Sequence, residues 1–186
     1  AGDAGPDSQA PVANVTWRDA ERYAEWAGAT LPTDAQLEFV LRSGWDDRVY
    51  PWGDSDVPPA RVANLRDRGY VQAFLSREPA ARELVAFSIP DDGFPGRAPV
   101  RSFAREHYGT FDVIGNLSEW TSDPRTPLDP MQLATVEVKT RGGNWSAGLR
   151  DARCASVGDD DAGTASDTIG FRCCRALPVP GADAGR

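Results

Sequence analysis

The sequence predicts a single α+β domain, and three observations carry that expectation. Two capped helical patterns stand near the N-terminus, over residues 16–28 and 33–44. Beyond them helical periodicity fades into short segments punctuated by turn residues; 18 Gly and 15 Pro in 186 residues leave little room for long helices. Helices first and short strands afterwards are segregated elements, the mark of α+β rather than alternating α/β architecture. The length suits one domain, and a hydrophobic fraction of 40% is enough for a core of its own.

The elements follow in order. Residues 1–10 (AGDAGPDSQA) and 179–186 are small and polar and read as tails around a domain over 11–178. Thr16 is placed to N-cap the first helix, with Asp19 as its capping-box partner. Ala20, Tyr23, Ala24 and Ala27 recur at helical spacing, and Gly28 supplies a stop. Thr33 and Gln36 form the second capping box; Leu37, Val40 and Leu41 make its buried stripe, and Gly44 ends it. Residues 71–87 look helical in part, while 98–103 (APVRSF) and 135–141 (TVEVKTR) are the best strand candidates. The acidic run 158–161 reads as a loop tip of solvated charge. The six Trp read mostly as core, and the lone His107 as a surface loop residue.

Charge and composition exclude several classes. Twenty Lys and Arg against 28 Asp and Glu give a net charge of −8, a poor match to a phosphate backbone, so no nucleic-acid partner is expected. No apolar run approaches the roughly 20 residues of a membrane span. Cys154, Cys173 and Cys174 lack paired Cys-x-x-Cys spacing, and with one His they exclude most His/Cys metal cages. The sequence starts without Met or a signal-peptide pattern and reads as a mature form or a fragment.

Six segments, in order, carry a resemblance: PVANVTWRDAERYAEWAG (11–28), LPTDAQLEFVLRSG (31–44), YPWGD (50–54), APVRSF with YGTFDVIGNLSEW (98–120), RGGNW (141–145) and GFRC (170–173). Together they resemble the formylglycine-generating enzyme, or sulfatase-modifying factor, family over residues 11–177. The resemblance implies a variant of the C-type lectin-like fold, with two helices on small twisted sheets and much irregular loop. It also implies a segment before residue 11, absent here or supplied by another chain.

The family's oxidases hold copper(I) between two cysteines just after the glycine pair, because soft thiolates suit that ion. By resemblance the first of these positions is Ala147, and no cysteine follows before Cys154. A serine of that site is Asn144 here, and an aromatic is Ser118. Copper is therefore not expected. The family's calcium sites fare better, since calcium takes six to eight hard oxygens from carboxylates and carbonyls. The resemblance maps one set to Asn64, Leu65, Asp92 and Phe94, and a second to Asp112, Gly115, Leu117 and Glu119. Of the two, the second is preferred, because residues 66–90 interrupt the first. The alternative is that Asp92 and Glu119 are loop caps satisfied by backbone N–H groups. Asn144 and Trp145 fall where the family's substrate groove lies.

The resemblance also makes the segments around Cys154 and Cys173 neighbouring strands, with their usual helix partners replaced by Ala24 and Leu41. A Cys154–Cys173 bond is expected, closing a loop of about 20 residues and contributing roughly 3 kcal/mol. Cys173 would then share the buried face of Phe171 and Cys174 would point outward. The alternative is three reduced thiols. The bond and the tails suggest a secreted, periplasmic or envelope protein.

The expected function is a non-catalytic, calcium-stabilised recognition module for a protein, peptide or small-molecule ligand. Two alternatives stand beside it. One is an oxidoreductase of the formylglycine-generating or nonheme-iron sulfoxide-synthase type. The other is a retroelement-diversified receptor varying over 141–173.

Overall fold

A computed structural model of the chain describes residues 9–45, 47–75, 77, 89–124 and 136–176. Helix α1 is Trp17–Trp26 and α2 is Asp34–Arg42, with both expected capping boxes formed, Thr16 with Asp19 and Thr33 with Gln36. Each box satisfies two backbone N–H groups that a helix start leaves without partners. A third helix, α3 (Arg68–Phe74), is N-capped by Asp67; it takes up the start of the helix-like stretch, and residues 78–87 of that stretch lie outside the described residues.

Four strands follow: β1 (Ser118–Pro124), β2 (Glu137–Arg141), β3 (Gly158–Asp161) and β4 (Ile169–Gly170). They form one mixed sheet in the order β3-β2-β1-β4, antiparallel at β3/β2 and β2/β1 and parallel at β1/β4. Two sequence expectations need correction. The acidic run 158–161 is not a loop tip but an edge strand, because β2 offers it a ladder from Glu137 to Thr140. Residues 98–103 are not a strand: the Ala98 N–H is capped by the buried Asn116 side chain, and the stretch runs as turns.

Two apolar clusters hold the elements. In one, Trp17, Ala20 and Ala24 of α1 pack on Trp120, Val138 and Ile169 of the sheet. In the other, Leu37 and Leu41 of α2 pack on Tyr50, Leu65, Ile114 and Cys154. Truncating a buried leucine such as Leu41 to Ala costs about 2–5 kcal/mol through lost transfer energy and a cavity. The tryptophans divide: Trp17 and Trp120 are core, whereas Trp26 and Trp45 are 80% and 60% exposed. Tyr23, counted on the inner stripe of α1, is half-exposed and packs edge-on against Phe171.

Arg141 fastens β2 to α2. Buried, it pairs with Asp34 and with Glu38 Oε2 at 2.7 Å, and donates to the carbonyl of Cys154 at 2.6 Å. Burial pushes the Asp34 carboxyl up, but Arg141 and Lys139 outweigh it and hold the pKa below its ordinary value.

Candidate functional site

The turn after β2 opens a polar cleft. Gly142 sits at φ +93° with its carbonyl accepting from Gly115 N, and a Cβ there would lie 2.6 Å from the Val113 carbonyl. Only glycine meets both demands. Asn144 follows. Its Oδ1 accepts from Ser146 N at 3.0 Å and Ser146 Oγ at 2.8 Å, and its Nδ2 donates to Ser118 Oγ at 3.1 Å. The cleft holds about 260 Å³ and is lined by these three residues, Thr140, Ala147 and the carboxylates of Asp151, Asp159 and Asp160. Burial raises the Asp160 pKa, against a hydrogen bond from Thr140 that lowers it. Hydroxyls, an amide and carboxylates suit hydrogen-bonded recognition of a polar or cationic group. Of the expected cleft pair, Asn144 lines the cleft. Trp145 instead packs on Tyr70 and Phe74 of α3, with ring centroids 5.7 and 5.4 Å away.

The three cysteines lie elsewhere. Cys154 is fully buried under α2 and is a free thiol, its pKa pushed by burial up to about 11. Cys173 and Cys174 are also free. The expected Cys154–Cys173 bond is therefore not formed, and the expected orientations are exchanged: Cys173 is exposed and Cys174 is half-buried. The physical reason is local. Only Cys174 enters a bridge, exchanging both backbone hydrogen bonds with Thr30, so no ladder imposes strand alternation on residues 171–173.

The first candidate calcium set comes together. Asn64 is fully buried; its Nδ2 donates to the Gly96 carbonyl at 2.9 Å and to Asn116 Oδ1 at 3.2 Å, leaving its own Oδ1 buried with no donor. Asp92 Oδ1 accepts from Phe94 N at 2.8 Å, the Leu65 N–H also reaches this carboxylate, and Oδ2 is buried without a partner. Burial first, then the charges of Asp67 and Asp91, push Asp92 up to about 7. Asp67, unremarked in the sequence, is fully buried. Its Oδ1 accepts from Tyr70 N at 2.9 Å and its Oδ2 from Asp92 N at 2.8 Å. Asn64 Oδ1 and Asp92 Oδ2 are thus both orphaned, on two segments joined by the bond from the Leu65 N–H to Asp92, and an unsatisfied buried acceptor costs about 1–3 kcal/mol. A hard cation fits that deficit.

The second set is placed differently. Asp112 Oδ2 accepts from Arg101 N at 2.5 Å, and its Oδ1 is buried without a partner. Glu119, however, is taken by Arg172 as a two-pronged pair, with Nε to Oε2 and Nη2 to Oε1 both at 2.5 Å. Nη2 also donates to the carbonyls of Phe111 and Asp112 at 3.2 Å. Burial works against the Arg172 charge, but Glu119 outweighs it and raises the pKa above its ordinary value. Calcium at this set would have to displace a guanidinium. The two sets touch: Gly115 bridges Asn64, and a Cβ on Gly115 would lie 2.3 Å from the Asn64 carbonyl. Among the described residues, no three His, Cys, Asp or Glu side chains cluster as a metal cage; the sets above draw on Asn and carbonyl oxygens as well.

Arg172 and Asp67 are the residues that sequence reasoning passed over. Arg172 stood within the GFRC motif, and Asp67 three residues before Tyr70 was a legible N-cap.

A short mixed sheet with two capped helices, a glycine-pair turn and a polar cleft defines a lectin-like α+β domain. The family model described as "Sulfatase-modifying factor enzyme 1-like domain" matches residues 3–177, and the chain belongs to that family. It is 31% identical to the formylglycine-generating enzyme of Mus musculus, across 96% of this chain and 49% of that protein. It is 33% identical to the inactive C-alpha-formylglycine-generating enzyme 2 of Bos taurus, across 91% and 52%. The chain thus spans about half the length of these relatives. Among solved structures, PvdO from Pseudomonas aeruginosa superposes with a TM-score of 0.63 at 22% identity, covering 91% of this chain and 63% of that one. Treponema denticola variable protein 1 superposes with a TM-score of 0.62 at 16% identity, covering 94% and 76%. These two likenesses show the fold alone.

Proposed function

We propose that this chain is a non-catalytic member of its family: a calcium-stabilised recognition module that takes a protein, peptide or small-molecule ligand at the cleft beyond Gly142 and Gly143. One observation carries the reading. The cleft presents Asn144, Ser146 and Ala147 where copper(I) chemistry needs soft sulfur, and the chain's three cysteines are all elsewhere. Hard oxygen and amide donors do not suit copper(I). Similarity to relatives named inactive supports it. Calcium would be held by Asn64 Oδ1, the carbonyls of Leu65 and Phe94, and Asp92, where it would neutralise buried acid and tie the two loops together. A secreted or envelope location accompanies this reading, since weak calcium sites suit extracellular modules.

The test pairs metal analysis of the purified chain with turnover of a Cys-x-Pro-x-Arg peptide under oxygen and copper. Bound calcium and no conversion of cysteine to formylglycine is the expected result; copper-dependent conversion would establish the oxidoreductase instead. A second reading, a diversified receptor, is compatible with the fold shared with a variable protein. A template repeat beside the gene, matching codons 141–173, is the observation that decides it.

A further inference from the structure

The three thiols occupy two environments. Cys154 is sealed beneath α2, where burial keeps it protonated and inert. Cys173 and Cys174 both line an apolar groove of about 530 Å³, beside Leu37, Phe39 and Val40 of α2. Neighbouring side chains on a regular strand face opposite ways. Here the backbone before Cys174 carries no ladder to impose that alternation, and both residues line the one groove. Cys174 is held from below by Thr30, with Sγ 3.4 Å from Thr30 Oγ1, while Cys173 is open to solvent.

We infer that Cys173 and Cys174 form a vicinal dithiol that low-molecular-weight disulfides oxidise to an internal disulfide, while Cys154 stays reduced. Burial and then the neighbouring Cys174 raise the Cys173 pKa, so the step is faster at alkaline pH; the exposed Cys173 loses its proton and attacks one sulfur of the small disulfide, giving a mixed disulfide and releasing one small thiol. Cys174 then loses its proton and attacks the Cys173 sulfur, and the second small thiol leaves with the remaining proton. Two protein thiols have given up two electrons, and the small disulfide has been reduced to two thiols. Adjacent Cα atoms stand about 3.8 Å apart across a trans peptide. That is below the usual span of a disulfide, so the bond is strained: it forms against a large excess of the small disulfide and is easily reduced when that excess is removed, the behaviour of a reversible modification site. This inference does not depend on the calcium or recognition reading.

The test is incubation of the whole chain with oxidised glutathione, followed by acid quenching, alkylation of remaining thiols under denaturing conditions and intact-mass measurement. The wild-type chain should lose two of its three thiols together, keep no glutathione, and leave Cys154 as the alkylated residue. Cys173→Ser and Cys174→Ser should each stop as a stable glutathione adduct, and Cys154→Ser should behave like wild type. A persistent adduct on the wild-type chain, a covalent dimer, consumption of the Cys154 thiol, or three thiols surviving would each overturn the inference.

Discussion

The pocket around Asn64 and Asp92 and the pocket around Asp112 and Glu119 contain the same kinds of group, yet they balance charge in opposite ways. In the first, Asp67 and Asp92 are buried side by side, two oxygens find no donor, and among the described residues no arginine or lysine pairs with either carboxylate. In the second, the chain supplies its own cation, and Arg172 fills both oxygens of Glu119 from 53 residues away. A like pattern of oxygens therefore leaves the first pocket without an internal cation and gives the second one, although Asp112 Oδ1 there stays without a partner. What separates them is a single side chain delivered by the segment after β4.

The largest expected effect removes that internal cation. Arg172→Met leaves Glu119 charged and nine-tenths buried, and loss of one partner of such a pair costs about 3 kcal/mol. Urea denaturation should show that loss, and added calcium should recover part of it in this variant. A loss below about 1 kcal/mol would mean that the pair behaves as a surface ion pair and the contrast fails.

Calcium itself should raise the stability of the wild-type chain by about 2.7 kcal/mol at a hundredfold excess over Kd. Asn64→Ala or Asp92→Asn should remove the gain, and Glu119→Gln should leave it. A thermal shift that survives Asp92→Asn and vanishes with Glu119→Gln would transfer the ion to the second pocket.

Proton linkage gives a finer probe. The folded pKa of Asp92 lies at about 7, above the ordinary carboxylate value of 3.8. Without calcium the folded chain therefore binds more protons at this group than the unfolded chain does. Its contribution is fully present below about pH 4 and is lost as pH rises towards 7, at no more than about 1.4 kcal/mol per pH unit. Subtracting the stability profile of Asp92→Asn from that of wild type should isolate this slope. Saturating calcium should flatten or reverse it, since the ion favours the carboxylate.

Thr16→Ala is the smallest change. It breaks the α1 capping box, which shares no residue with either pocket, and should cost about 1 kcal/mol with or without calcium. A calcium-dependent cost there would show that the ion acts on the whole fold rather than on one pocket.

The helices were legible because their signals are local. Thr16 with Asp19, and Thr33 with Gln36, name their own helix starts within three residues. β2 was legible in outline from the alternation around Val138. β1 and β3 were not, since SEWTSDP and GDDD carry little strand propensity and become strands through pairing with β2. The candidate site divides the same way. Motif positions located Asn144, Ala147, Asp92 and Glu119, but no spacing rule says that Arg172 reaches Glu119, or that Asp67 links Asp92 to α3. The cysteines failed for a related reason: the alternation that would have turned Cys174 outward presumes a ladder, and that stretch has none before its final residue.

The edge strand β3 has a further consequence. A sheet edge offers unpaired backbone groups to any passing strand, and inward or edge-placed charge is a common defence against such pairing. Three of the four residues of β3 are aspartates, so another copy of this chain would have to bring like charge against like charge to extend the sheet. The defence is only as good as the ionisation behind it. Burial raises the Asp160 pKa, so on acidification this edge loses charge there sooner than an ordinary aspartate would. Self-association of this domain should therefore be a problem of acidic solutions, beginning at a strand that neutral pH keeps solitary.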